Sequence, residues 1–396
     1  MIKISIIIPT RERADYLGDS IRSCISNINN EFEIVVLDNA SQDNTYDVVN
    51  QIKDKRIKYH RNEVRLSMRD NFEKGYSLSC GEIICFIGDD DAIFSDTIDR
   101  VIRIFNAEKI DAISGSRASY FWPDLDSPSK STGLIPRGHG YSVLNSRNEL
   151  NNLLSHGDYY RLPCVYHGFV RRSIIDNILN IKGRFFLSSQ VDIYSAIALA
   201  YKDIQYVYSK DPLIINGGSS RSNGASHNGG GSRVEKNLWK KEDDIGFLNG
   251  YDKSINVPTL IIESAIRYGD NFENINLENI FNKKDIERVM LHEYYARLKK
   301  TGDSIYAKSH YGITEIKEPK GGYIFIYNLF NKIYKYYNSL LRFYNFKPID
   351  MRKYSINNIF EASKIMQYQI SNNKLHIYNG FIGQIKASLR IIGINK

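Results

Sequence analysis

At 396 residues, with 42% hydrophobic and 25% charged residues, the chain has the length of two domains or one large domain with an appendage, and the composition of a soluble globular protein. Four cysteines (Cys24, Cys80, Cys85, Cys164) without CxxC spacing argue against a zinc knuckle or a disulfide scaffold and suit a reducing, cytoplasmic compartment. The net charge of +8 is uneven: residues 321–396 carry eleven Lys/Arg against Asp350 and Glu361, so a basic surface is expected only in the C-terminal tail.

The first apolar run, Ile4–Pro9, is too short for a signal peptide and ends in proline, so it is expected to be a strand. Further strands are expected at Glu33–Asp38, Ile57–His60 and Ile83–Ile87, alternating with helical patterns near Ala14–Ile28, Asn44–Ile52, Asp70–Leu78 and Asp96–Asn106. This β-α-β order predicts a mostly parallel sheet with helices on both faces, and ligands bind outside the carboxyl ends of such strands. Pro9-Thr10-Arg11, Asp38-Asn39 and Asp89-Asp90-Asp91 all fall at that edge. Strands are also expected over Ala112–Trp122 and Leu162–Arg171, then a helix from near Gln190, a strand at Ile204–Tyr208 and an extended segment at Pro212–Asn216. The Gly/Ser/Asn run that follows (217–232) is expected to be a linker or a lid. Residues from about 235 to 396 have helical patterns rich in Tyr, Ile and Asn. No apolar stretch reaches the roughly 20 residues of a membrane span.

Within FIGDDDAIF (86–94), three adjacent carboxylates sit inside an apolar run, where they repel one another and lose hydration unless a cation or donors meet them. A solvated acidic turn is one reading. The other is a Mg²⁺ or Mn²⁺ site shared with a diphosphate, because hard oxygen ligands suit these ions and phosphates complete their shells. Asp38 is placed to accept from a base or ribose, while Asp43 fits an Asx or capping role. Arg65 and Arg69 are either exposed arginines or phosphate contacts. Asp192, in a helix first turn, is a dipole partner or a general base. His227 is a loop residue or a further metal ligand, and His167 in VYHGF is a weaker candidate.

The ordered segments IIIPTRERADYL, VVLDNASQDNT and SCGEIICFIGDDD resemble the inverting family-2 glycosyltransferases of the GT-A fold, over roughly residues 3–215. The resemblance implies a GT-A catalytic domain over 1–216, with a nucleotide-sugar half to 120 and an acceptor half beyond it. A flexible Gly/Ser-rich loop or lid over 217–234 and a mainly helical, basic, Tyr-rich C-terminal region over 235–396 follow. It implies a nucleotide pocket built from Pro9, Thr10, Glu12, Arg13, Asp38 and Asn39, with Arg65 and Asn71 nearer ribose and phosphates. Asp89 or Asp90 would take the ribose, Asp91 the Mn²⁺ or Mg²⁺ ion (with Asp89 or His227 as further ligands), and Asp192 the acceptor's proton. Arg11 and Glu12 stand where the family more often has Tyr-Asn, Gly88 where many members have a further Asp, and Val191 where an acidic pair has Glu.

The implied function is metal-dependent, inverting transfer of a sugar from a nucleotide sugar, UDP-linked by preference, to a glycan or lipid-linked acceptor in surface polysaccharide synthesis. The Tyr/Phe-rich segment 322–346, with Lys332, Lys335 and Arg342, is either a packed helix or a peripheral contact with the inner membrane surface. It has no nucleic-acid-binding motif. Two alternatives are open. A non-catalytic protein could retain the fold, although the retained acids argue against it. A sugar nucleotidyltransferase would need a Gly-rich loop after the first strand, where this chain has PTRER.

Overall fold

A computed structural model describes residues 3–156, 159–222, 257–272 and 345–371, together with residues 242, 245, 281 and 285. The N-terminal half alternates strands and helices: β1 (Ile4–Thr10), α1 (Ala14–Ile25), β2 (Phe32–Asp38), α2 (Thr45–Gln51), β3 (Ile57–Arg61), α3 (Met68–Leu78), β4 (Ile83–Phe86), β5 (Ala92–Ile93) and α4 (Thr97–Ala107). Next come β6 (Ala112–Gly115), β7 (Ala118–Phe121), β8 (Thr132–Pro136), β9 (Tyr141–Asn145), α5 (Ser146–Asn151) and α6 (Leu153–His156). Then follow β10 (Phe169–Arg171), α7 (Arg172–Lys182), α8 (Val191–Tyr201), β11 (Gln205–Ser209) and β12 (Ile214–Gly218). Farther along the chain lie α9 (Val257–Phe272), β13 (Phe346–Asp350) and α10 (Ile359–Ser371).

Eight strands form one sheet in the order β3-β2-β1-β4-β10-β6-β11-β9. The first four are parallel, and β10 runs antiparallel to both of its neighbours. The two-residue period of β1 supplies both layers of the core. Ile4, Ile6 and Ile8 pack with Leu17 and Ile21 of α1 and with Ile98 and Val101 of α4. Ile7 faces the opposite layer with Phe72 and Tyr76 of α3 and Tyr194 of α8. The strand order reverses at β1, whose neighbours are β2 and β4, and the carboxyl ends of strands at such a switch point are where open α/β sheets bind ligands.

Local capping sharpens that edge. The carboxylate of Asp43 accepts from the N–H of Ala14 (3.1 Å), at the start of α1, and from that of Thr45 (3.1 Å), at the start of α2, as its capping role predicts. Ser67 caps α3 by accepting from the Asp70 N–H at 3.1 Å.

Four expectations change. The run 112–122 is two strands in different sheets: β6 lies in the large sheet, while β7 joins β13-β8-β7-β12-β5. The chain turns at Ser116-Arg117 between two equally apolar stretches, so composition alone gives no break. Within 162–171 only Phe169–Arg171 is strand, preceded by a single bridge between Tyr166 and Phe86. The boundary drawn at 216 falls inside β12, whose Gly217 and Gly218 pair with Tyr120 and Phe121. Residues assigned to the C-terminal region also complete the smaller sheet, since β13 pairs antiparallel with β8 and α10 contributes Ile359, Ala362 and Met366 to the core that includes Tyr120 and Trp122.

Candidate active site

The three acids sit at the β1/β4 switch point and are all buried, at 3%, 4% and 1% exposure. Each has a different set of partners. Asp89 is the link to β1: its carboxylate accepts from the Thr10 hydroxyl at 2.7 Å and from the Arg13 guanidinium at 3.0 Å. Arg13 also donates to the carbonyl of Arg221, which draws the chain after β12 over the acids.

Asp91 is held most completely. Its Oδ1 accepts from the N–H of Gly217 (2.8 Å), and its Oδ2 from the N–H of Gly88 (2.6 Å), the Tyr166 hydroxyl (3.0 Å) and His167 Nε2 (2.6 Å). Arg117 donates to His167 Nδ1 at 2.9 Å. A guanidinium has no lone pair to offer, so Nδ1 must accept and Nε2 carries the proton to Asp91. Burial pushes the Asp91 carboxyl up, but His167 and the Gly217 and Gly88 N–H groups outweigh it and leave it below the usual range.

Asp90 is the least satisfied. Its Oδ2 accepts from the Ser219 hydroxyl at 2.6 Å, and its main-chain carbonyl accepts from Trp122 Nε1 at 3.1 Å. Among the described residues its Oδ1 has no hydrogen-bond partner. Burial pushes this carboxyl up to about 7; Arg13 opposes the shift, and Asp91 and Asp89 add to it.

Two glycines make these approaches possible. A Cβ on Gly217 would lie 1.8 Å from the Asp90 carbonyl oxygen, and one on Gly88 would lie 2.9 Å from both Asp91 Oδ2 and the Tyr166 hydroxyl. The Gly/Ser composition at 217–219 therefore serves close packing against the acids. Backbone strain gathers here too: Glu12, Ala40 and His167 all have positive φ, at 53°, 56° and 65°.

The expected nucleotide-pocket residues divide into two groups. Pro9 and Thr10 lie at the carboxyl end of β1, Thr10 bonded to Asp89, and Arg13 reaches the acids. Asp38 is 1% exposed; its Oδ1 accepts from the Ser41 N–H (2.8 Å) and its Oδ2 from the Tyr59 hydroxyl (2.5 Å), so both oxygens already serve the turn after β2. Asn39 is likewise committed, donating to the Leu66 carbonyl (2.8 Å) and accepting from the Leu66 N–H (2.9 Å) and from Asn62 (3.0 Å). Asn62 also donates to Asn71 at 2.8 Å, which ties α3 to the β2 and β3 ends. Glu12 accepts from the N–H groups of Gln42 and Asp43 (3.1 Å each) and pairs with Arg65. Arg69 is buried beside Asp70. His227 lies outside the described residues.

Asp192 stands in the first turn of α8, with its Oδ2 accepting from the Tyr159 hydroxyl at 2.6 Å. The Tyr159 ring lies 4.0 Å from that of Tyr160, and the Arg117 guanidinium sits 3.3 Å over the Tyr160 ring. Arg117 then reaches His167, and His167 reaches Asp91. Asp192 and the acids are thereby joined through one continuous set of contacts. Sequence reasoning missed Arg117, Trp122 and Ser219, which flank β7 and β12 of the smaller sheet, and Tyr159 and Tyr166, which lie in the segment 159–168 before β10. His167 carried the one visible signal, a histidine beside a glycine.

Among the described residues no group of three or more His, Cys, Asp or Glu side chains is arranged to hold a metal ion by itself, and no helix is long and apolar enough to cross a membrane.

Residues 5–173 match the family described as Glycosyl transferase family 2. Asp192 lies beyond the matched residues. The chain is 32% identical over 109 residues to the GalNAc(5)-diNAcBac-PP-undecaprenol beta-1,3-glucosyltransferase of Campylobacter jejuni, covering 27% of this chain and 35% of that protein. It is 28% identical over 115 residues to the UDP-Glc:alpha-D-GlcNAc-diphosphoundecaprenol beta-1,3-glucosyltransferase WfaP of Escherichia coli, covering 27% of this chain and 43% of that protein. An uncharacterized glycosyltransferase of Nostoc sp. is 28% identical over 114 residues, 28% of this chain and 34% of that protein. These matches span between about a third and two-fifths of the relatives' lengths. Among solved structures, S. aureus TarS 1-349 in complex with UDP-GlcNAc aligns at 16% identity and a TM-score of 0.46, over 77% of this chain and 81% of that one.

Proposed function

We propose that the protein is an inverting glycosyltransferase that moves a sugar from a UDP-sugar to a hydroxyl of a lipid-linked glycan in polysaccharide synthesis. The observation that carries this reading is the buried acid cluster at the β1/β4 switch point, within the residues that match the family-2 model, where one Asp90 carboxylate oxygen has no hydrogen-bond partner among the described residues. The lipid-diphosphate acceptors in the names of the Campylobacter and Escherichia relatives support the acceptor class.

The acceptor hydroxyl attacks the anomeric carbon while Asp192 takes its proton. The bond from that carbon to the β-phosphate oxygen breaks, its electron pair leaves with the nucleoside diphosphate, and a single displacement inverts configuration. A divalent ion, Mn²⁺ or Mg²⁺, supplies positive charge at the departing diphosphate when bound. Asp90 would hold it in preference to the Asp91 expected from sequence, because four donors already occupy the Asp91 oxygens. Asp91 instead anchors Gly88, Gly217 and His167 around the site, and Asp89 holds Thr10 and Arg13 in place. A lipid-linked acceptor also gives a role to the basic, aromatic segment 322–346 as a peripheral membrane contact; residues 322–344 lie outside the described residues.

A thermal-shift panel of UDP, GDP, UDP-glucose, UDP-GlcNAc and GDP-mannose, each with and without Mn²⁺, tests the donor and the metal together. UDP compounds are expected to raise Tm only with Mn²⁺, and saturation at 100 times Kd corresponds to about 2.7 kcal/mol. Equal shifts without metal would overturn the metal reading. No shift with any nucleotide would overturn the donor reading.

A further inference from the structure

We infer that Tyr159 is a positioning residue for the base: its hydroxyl holds Asp192 Oδ2 and leaves Oδ1 to receive the acceptor's proton. This rests on Asp192 being the base proposed above. The two oxygens of Asp192 differ in their surroundings. Oδ2 meets the Tyr159 hydroxyl at 2.6 Å, and among the described residues Oδ1 has no hydrogen-bond partner. A carboxylate with one oxygen tethered cannot swing, so the proton-accepting lone pairs keep one direction.

Tyr159 is built to hold that tether. It is 4% exposed and opens a single 3-10 turn, closed by the Leu162 N–H on its carbonyl at 3.1 Å. Its ring packs in one cluster with Ile193, Ala196 and Ile197 of α8, the helix that carries Asp192. Tyr160 and Arg117 back the ring from the other side, with Arg117 fixed to His167 at 2.9 Å. Burial first, and then the Asp192 charge, keep the phenol protonated well above its ordinary range, so it remains a donor throughout the working pH. The other groups facing Asp192 are Tyr166 and Cys164 from the segment after the turn, with Arg117 beyond Tyr160. The main-chain carbonyl of Asp192, by contrast, accepts from Cys164 Sγ (3.3 Å) and Ser195 Oγ (3.0 Å), contacts that hold the helix start and leave the carboxylate alone.

The test compares wild type, Tyr159→Phe and Asp192→Asn for UDP release from UDP-glucose with MnCl₂ across about pH 5 to 9, alongside UDP binding and thermal melts. Tyr159→Phe is expected to lower kcat roughly tenfold with KM changed by less than about twofold. The tether acts only through the direction of Asp192 Oδ1, so the double variant Tyr159→Phe/Asp192→Asn should turn over no more slowly than Asp192→Asn alone. A loss from Tyr159→Phe that adds in full to that of Asp192→Asn, or that comes with weaker UDP binding, would make Tyr159 merely structural and overturn the inference, as would wild-type behaviour throughout. Full turnover by Asp192→Asn would instead overturn the base assignment itself.

Discussion

Asp192→Asn is expected to lower turnover by roughly 10²- to 10⁴-fold, the range that positioned general-base catalysis contributes. Asparagine has the same shape and still accepts from the Tyr159 hydroxyl through its amide oxygen, so the start of α8 should be undisturbed. It cannot take a proton at neutral pH. Nucleotide affinity should therefore stay within about threefold of wild type, the pattern of a group that acts in the transition state alone. Steady-state UDP release together with calorimetric UDP binding separates the two effects. A parallel loss of binding would place Asp192 in the nucleotide pocket rather than at the acceptor.

Asp90→Asn has the second largest expected effect, and it has two opposite signs. The variant should lose the Mn²⁺-dependent part of UDP binding, a weakening of at least about tenfold. In the absence of metal it should be more stable than wild type. Burial and the adjacent Asp91 and Asp89 raise the folded-state carboxyl to about 7, although Arg13 opposes them. A carboxyl raised in the folded state costs stability only once it can ionise. That cost is absent below the ordinary carboxylate range, grows as pH rises toward about 7, and is complete above it. Melts at about pH 8 without metal should therefore show a higher Tm for Asp90→Asn than for wild type, and added Mn²⁺ should close or reverse the gap. If Asp91→Asn abolished the Mn²⁺ effect while Asp90→Asn did not, the assignment of the ion would return to Asp91.

The acids were legible in the sequence because their placement is expensive: three carboxylates between Phe86 and Phe94 demand an explanation whatever the fold. The switch-point architecture was legible for a related reason, since the alternation in β1 and the apolar faces of α1 and α4 are periodic and local. The division of labour among the acids was not legible. It depends on which donors arrive, and these come from Arg117, Trp122, Tyr166, His167, Gly217 and Ser219, far away in sequence and on elements with no period to read. The Gly/Ser run was ambiguous in a different way. Small residues signal either conformational freedom or the need for close approach, and at Gly217 it is the Asp90 carbonyl that permits nothing larger. Asp38 and Asn39 illustrate the converse: they stand at the ligand edge, as expected, yet their hydrogen bonds go to Ser41, Tyr59, Asn62 and Leu66. Position at an edge is written in the strand pattern, whereas the partner of a polar side chain is decided by tertiary packing.

Single displacement by a hydroxyl under Asp192 is the central claim, and the anomeric configuration of the first product tests it most directly. Proton NMR during hydrolysis of an α-linked UDP-hexose that the thermal-shift panel identifies as a ligand follows the free sugar before it mutarotates. The β-anomer is expected to appear first, at a rate that Asp192→Asn abolishes. Initial release of the α-anomer would contradict a single inverting displacement.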